Sequence, residues 1–99
     1  MEKRRAHYDL KAIQTQMNCI EVMNLTVSAR HGIKTAGMSI GDVLEVVQGL
    51  GRSNFYKSMT TYFDNRIWQD VYHAEWKNKF LYVKFQRLGE YFVVSFKEL

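Results

Sequence analysis

Residues 80–97, with the sequence FLYVKFQRLGEYFVVSFK, decide the fold of this 99-residue chain. Apolar and polar side chains alternate on both sides of the turn residues Gly89-Glu90, which predicts two antiparallel β-strands joined by a short connector. One face of this predicted hairpin is apolar and carries Leu81, Val83, Phe85, Phe92, Val94 and Phe96. The other face is mostly polar and carries Tyr82, Lys84, Gln86, Tyr91, Val93, Ser95 and Lys97. The apolar face must pack against another layer of the protein.

Two more strands are predicted upstream of the hairpin, over about residues 55–62 and 66–76. Their connectors contain the turn pairs Asp64-Asn65 and Lys77-Asn78. Together with strands over 80–87 and 91–97 they predict a four-stranded antiparallel meander, because short connectors join antiparallel neighbours.

The alternation of apolar and polar residues does not decide which side chains of the two upstream strands lie on the polar face. If Lys57 lies on the face of Lys97, then Met59 and Thr61 share that face. For the strand over 66–76 there are two candidate sets for this face, either Ile67, Gln69 and Val71 or Trp68, Asp70 and Tyr72.

The first half of the chain is predicted to be helical. Tyr8 is the only aromatic residue before position 55, and the other thirteen follow it. A first helix, capped by Asp9, is indicated by apolar residues at spacings of three and four. This stripe consists of Leu10, Ile13, Met17, Ile20 and Met23.

A second helix is predicted from about Val27 to Ala36, with Gly37 as its stop. A third begins at a capping-box pattern formed by Ser39 and Asp42 and ends at Gly49. The chain is therefore expected to be a single α+β domain over residues 1–99, with N-terminal helices packed on a C-terminal antiparallel sheet.

Composition excludes several classes of protein. With 46% hydrophobic residues and a net charge of only +4, the chain is not expected to be disordered. No apolar run approaches the length of a membrane span, no secretory signal is visible, and one cysteine, Cys19, cannot form an internal disulfide. We therefore expect a cytoplasmic protein that contacts no membrane and uses no metal or other cofactor.

The polar face of the predicted sheet has two interpretations. Lysines that neutralise phosphate, an aromatic ring that stacks on bases and amides that read base edges would form a nucleic-acid platform. Lys, Tyr and Gln are also ordinary residues of a solvent-exposed sheet face. The carboxylates show no spacing that favours a catalytic metal site. RNA, however, carries its own nucleophile, the 2′-hydroxyl, and Lys, Tyr and Gln can assist its attack on the adjacent phosphorus.

A resemblance separates these interpretations. The segments FYKSMTTY (55–62), IWQDVY (67–72), YVK (82–84) and VSFKE (94–98), together with the opening MEKR and His7, are similar to the MqsR family. These are motility quorum-sensing regulator toxins of bacterial toxin–antitoxin pairs. The similarity extends along the whole chain and is densest over residues 54–72.

The resemblance implies a RelE-like, microbial-ribonuclease-like fold and an mRNA endoribonuclease that inhibits translation. Such a toxin is sequence-specific, cuts at GC-containing sites such as GCU, and acts independently of the ribosome. It also implies a cognate MqsA-type antitoxin, a zinc-binding helix-turn-helix protein, so that this chain would meet DNA only through its partner.

Carried onto this sequence, the family's active-site positions fall on Lys57, Gln69 and Tyr82 as catalytic residues. The residues expected to bind RNA are His7, Met59, His73, Lys84 and Lys97. If Lys57, Gln69, Tyr82 and Lys97 share one face, the open choice in the second strand falls on the Gln69 set. Trp68 and Trp76 are interpreted as core residues.

Two positions depart from the family pattern. His73 stands where the family carries arginine, and Gly89 stands where it carries histidine. Histidine keeps only a pH-dependent positive charge, and glycine cannot replace an imidazole. These departures motivate a competing hypothesis, a non-catalytic nucleic-acid-binding or regulatory partner with a degenerate active site.

Overall fold

The predicted α+β architecture is confirmed by a computed structural model, which describes residues 1–99. Three helices precede the main strands of the sheet: α1 (Leu10–Gln16), α2 (Val27–Ala36) and α3 (Ile40–Gly49). The strands are β1 (Glu2–Lys3), β2 (Phe55–Thr60), β3 (Trp68–Trp76), β4 (Lys79–Leu88) and β5 (Tyr91–Glu98). They form one antiparallel sheet in the order β1-β2-β3-β4-β5. No helix is long and apolar enough to cross a membrane.

The apolar side of the hairpin forms the centre of the core. Leu81, Val83 and Phe85 of β4 are fully buried, and the helices cover them with residues such as Ile33 of α2 and Val47 of α3. Burial of such side chains is the main favourable term in folding. The period-two alternation of residues 80–97 therefore does predict which side of the sheet meets the helices.

The predicted number of strands was wrong by one. Glu2 and Lys3 form a short edge strand that pairs with Met59 and Ser58 of β2. Two residues are too few to show a hydrophobic period, so the sequence held no signal for this strand.

Strand β2 is also shorter than predicted and ends at Thr60. The hydroxyl of Thr61 donates to the carbonyl oxygen of Asp64 and accepts from the Asp64 amide, at 2.8 and 3.1 Å. The Asp64 carboxylate in turn accepts from the backbone and guanidinium of Arg66. These local bonds close the turn into β3.

The prediction of one continuous helix from Leu10 to Met23 was wrong. Helix α1 ends at Gln16, and a separate 3-10 turn covers Ile20–Val22. The side-chain amide of Gln48 donates to the carbonyl oxygens of Gln14 and Met17, at 2.7 and 2.9 Å. The end of α1 is thus satisfied by α3 rather than by a further helical turn.

The predicted ends of α2 and α3 are confirmed. The hydroxyl of Thr26 accepts from the Ala29 amide at the start of α2, and Gly37 closes that helix with a left-handed φ of 71°. Ser39 and Asp42 form the predicted reciprocal capping box of α3.

Helix α2 lies directly on the backbone of β5 at Gly32. A methyl group at this position would overlap the Phe96 carbonyl and lie 3.2 Å from the Lys97 Cα. We expect Gly32→Ala to destabilise the protein by about 1–2 kcal/mol, since overpacking outweighs the gain in helix propensity. Urea denaturation measures the change, and Gly41→Ala in α3 is the matched control because its new methyl would make only an ordinary contact. Equal stability of the two variants would refute the close approach of α2 to β5.

Candidate active site

The side of the sheet opposite the core, called the open face here, is organised by the strand register. His73 of β3, Tyr82 of β4 and Lys97 of β5 stand directly opposite one another in one row. The next rows along the strands contain Lys57, Val71, Lys84 and Ser95, and then Met59, Gln69, Gln86 and Val93. The register therefore brings into one row residues that are far apart in the sequence, such as Lys57 and Ser95.

For β3, the sequence left open which residues lie on the open face, and the structure places the Gln69 set there. Gln69 and Val71 pair with open-face residues of β4, whereas Asp70 and Tyr72 pair with the core residues Phe85 and Val83. The side-chain amide of Gln69 donates to the side-chain carbonyl oxygen of Gln86, Oε1, at 2.8 Å. This bond fixes the orientation of Gln69 and leaves its own carbonyl oxygen free to accept from a ligand.

A β-bulge in β2 brings Tyr56 beside the open-face residue His73. The register shifts between Phe55 and Lys57, so that Tyr56 is the extra residue of β2. The Tyr56 ring stacks on the His73 ring, with centroids 4.3 Å apart. Strict alternation from Lys57 places Tyr56 on the core side, and sequence reasoning therefore missed this half-exposed ring.

Lys57 is held by an ion pair at the edge of the sheet. Its Nζ lies 2.6 Å from a carboxylate oxygen of Glu2 in β1. The hydrogen bond to Glu2 raises the pKa of Lys57, so this lysine stays a cation rather than becoming a base. A phosphate that binds Lys57 would have to compete with the Glu2 carboxylate.

Tyr82 lies at the centre of the open face between two cations. Burial raises the pKa of the Tyr82 phenol, although the Lys57 charge acts in the opposite direction. The Lys97 ammonium lies 5.1 Å from the centroid of the Tyr82 ring, a cation–π geometry. Tyr82 therefore keeps its proton at neutral pH and can donate it to an oxygen of a ligand.

Lys84 has the opposite electrostatic environment to Lys57. Burial lowers its pKa, and the nearby Lys97 charge lowers it further. Both effects disfavour the charged form of Lys84. The open face thus contains one lysine whose surroundings favour its charged form, Lys57, and another whose surroundings disfavour it, Lys84.

Met59 and His73, both predicted to bind RNA, lie on the open face with the predicted catalytic residues. Gly89 lies in the β4–β5 turn with a φ of 61° and has no side chain to contribute.

His7 is not brought to the open face. Its ring stacks on Trp68, with centroids 5.2 Å apart, and its backbone amide donates to the buried carboxylate of Asp70 on the core side of the sheet. Burial is the main cause that lowers the pKa of His7. Trp68, which was interpreted as a core residue, lies outside the buried cluster, whereas Trp76 does pack against that cluster.

A groove of about 540 Å³ borders the open face on the side of α2. Its lining includes four open-face residues, Tyr82, Lys84, Ser95 and Lys97, and also His31 of α2. Sequence reasoning missed His31 because it gave no long-range signal that α2 lies beside β5. No group of three or more His, Cys, Asp or Glu side chains is placed to hold a metal ion.

The fold and the open face define a class of small α+β proteins in which lysines, a phenol and a side-chain amide lie together on one face of an antiparallel sheet. Residues 5–98 match the family described as "Motility quorum-sensing regulator, toxin of MqsA", and the chain belongs to this MqsR toxin family. It is also 39% identical over 98 residues to the mRNA interferase toxin MqsR of Escherichia coli (strain K12), a match that covers 99% of each protein. The family resemblance predicted from the sequence is thereby confirmed, and with it the role of a toxin.

Proposed function

We propose that this toxin is an endoribonuclease that cuts mRNA by attack of the RNA's own 2′-hydroxyl on the adjacent phosphorus, without a metal ion. One observation carries the proposal: the strand register gathers Lys57, Gln69, Tyr82 and Lys97 on a single face. The sequence identity between this chain and the mRNA interferase toxin MqsR supports the same activity.

Each of these side chains has a role that its environment favours. Lys57 and Lys97 stabilise the negative charge that develops on the pentavalent phosphorane. Gln69, already oriented by Gln86, holds the phosphate or the attacking group. Tyr82, whose raised pKa keeps its proton in place, orients the reacting oxygens or protonates the leaving 5′-oxygen.

The neighbouring residues account for binding of the RNA. Lys84, in the lining of the groove, would bind a phosphate, and the stacked rings of Tyr56 and His73 offer a platform for a base. Met59, in register with Gln69, completes this surface. His7 is left out of the proposed contacts because it packs on Trp68 on the other side of the sheet.

The biological setting is also part of the proposal. A toxin of this family has an antitoxin partner, and we expect an MqsA-type protein that binds zinc and carries the helix-turn-helix. We further expect cleavage in the cytoplasm, independent of the ribosome and at GC-containing sites such as GCU.

Removal of metal ions is expected to leave cleavage unchanged. Purified toxin incubated with a defined mRNA in excess EDTA should cut it and leave 2′,3′-cyclic phosphate and 5′-hydroxyl ends, because the 2′-oxygen is the nucleophile. The matched control is the same RNA with a 2′-O-methyl group at the mapped cut site, which should bind and stay intact. Cleavage that needs added Mg²⁺, or that cuts the methylated site, would refute the mechanism. Binding without cleavage of either RNA would favour the non-catalytic alternative.

A further inference from the structure

Helix α2 forms one wall of the groove that borders the open face. Four α2 residues line it, and besides Gly32 these are Ser28, His31 and Thr35. Residues three and four apart lie on the same side of a helix, so His31 stands in the middle of this stripe. The opposite wall comes from β4 and β5.

The position of this wall is set by close contacts between α2 and β5. Gly32, the residue that follows His31, lies directly against the Phe96 carbonyl. At the start of the helix, the hydroxyls of Thr26 and Ser95 lie 3.2 Å apart, and the Thr26 amide donates to the Val94 carbonyl oxygen at 3.1 Å. The imidazole therefore extends from a fixed element rather than from a loop.

The titratable groups that line the groove together with His31 are Tyr82 and Lys84 of β4 and Lys97 and Glu98 of β5. His73, which lies on the open face, is stacked on Tyr56 and does not line the groove. His31 is thus the single imidazole in the groove. Imidazole is also the side chain whose ordinary ionisation falls between pH 5 and 8, as a general base at neutral pH requires.

We propose that His31 is a catalytic residue of the ribonuclease, where it acts as the general base that accepts the proton of the attacking 2′-hydroxyl; this inference rests on the proposed function. In the first half of the step, the proton moves to the imidazole and the 2′-oxygen forms a bond to phosphorus. In the second half, the bond between phosphorus and the 5′-oxygen breaks, and Tyr82 gives its proton to that oxygen. Solvent then carries a proton from the imidazolium of His31 to the phenolate of Tyr82.

The test is the pH dependence of single-turnover RNA cleavage by the full chain. For the unmodified protein we expect the rate to rise with pH, because a general base must lose its own proton before it can accept one from the 2′-hydroxyl. His31→Ala should lower the rate at pH 7.5 by about 100-fold and remove this rise, as loss of a general base does. Its affinity for RNA blocked by 2′-O-methylation should stay within about twofold.

Two further variants serve as controls. Lys34→Ala, at an exposed position of α2 outside the groove, should keep both the rate and the pH profile. His73→Asn should weaken RNA binding but keep the rise with pH, which shows that the rise does not come from the other imidazole of the site. Urea denaturation of each variant checks that the fold is retained.

The outcomes separate this inference from the proposed function. A His31→Ala protein that cuts RNA with an unchanged pH profile overturns the role of His31 and leaves the ribonuclease intact. Loss of the rise in His73→Asn instead assigns the base to β3 and likewise overturns the inference. An unmodified protein that cuts no RNA overturns the proposed function itself.

Discussion

Lys57→Met is expected to lower the rate of RNA cleavage by about 100- to 1000-fold, the loss typical when one preorganised donor to a developing negative charge is removed. Methionine keeps the apolar part of the side chain and removes only the charge. The open face then keeps the Lys97 cation on one side of Tyr82 but loses the Lys57 cation on the other side. Quantitative single-turnover cleavage of one defined RNA measures the effect.

The fold should tolerate this substitution. The ion pair of Lys57 with Glu2 is exposed on the Glu2 side, and such surface pairs add little to stability. Lys79→Met is a close control, because Lys79 also pairs with a glutamate, Glu98, at 3.4 Å. Lys79 follows the parity of the core residue Leu81 and so lies on the helix side of the sheet. If the two methionine variants cut RNA equally fast, Lys57 has no part in the reaction.

The sequence could predict the faces of β4 and β5 but not of every strand. Leu81, Val83 and Phe85 alternate strictly with polar residues, and a period of two maps directly onto the two faces of a sheet. In β2 the bulge at Tyr56 breaks this mapping, and no feature of the local pattern marks it. A bulge arises from how the strand fits its partner, which is a tertiary property.

The site shows the same division between local and long-range information. The family resemblance located Lys57, Gln69 and Tyr82, and the register brings them together. His31 escaped notice because its closeness to the open face depends on how α2 docks on β5. His7 lies away from the open face for a related reason, since the bonds from the backbone of residues 7 and 8 to Asp70 were not visible in the sequence.

Asp70 links the N-terminal segment to the sheet from inside the protein. Its side chain is fully buried, at 0% exposure. Oδ1 accepts from the Ser58 hydroxyl at 2.6 Å and from the His7 amide at 3.1 Å, and Oδ2 accepts from the Tyr8 amide at 2.8 Å. Three donors, of which the Ser58 hydroxyl is fully buried, thus depend on one carboxylate.

Asp70→Ala is therefore expected to cost about 3–5 kcal/mol of stability, because it leaves these partly or fully buried donors without an acceptor. A domain of this size has only about 5–15 kcal/mol in total, so the variant should be close to unfolding at 37 °C. Urea denaturation at 25 °C measures the loss. The isosteric Asp70→Asn keeps one acceptor oxygen and should lose less, whereas Asp64→Asn, in the β2–β3 turn, should change stability little.

Asp70→Ala also has a consequence for the open face. Ser58 and Asp70 are directly paired across β2 and β3, and their sequence neighbours Lys57 and Gln69 point to the opposite side. The bond between Ser58 and Asp70 therefore fixes the two strands that carry half of the proposed catalytic set. At 10 °C, where the folded population is largest, Asp70→Ala should still cut RNA more slowly than Asp64→Asn per folded molecule. If folded Asp70→Ala keeps full activity, this bond stabilises the protein without positioning Lys57 and Gln69.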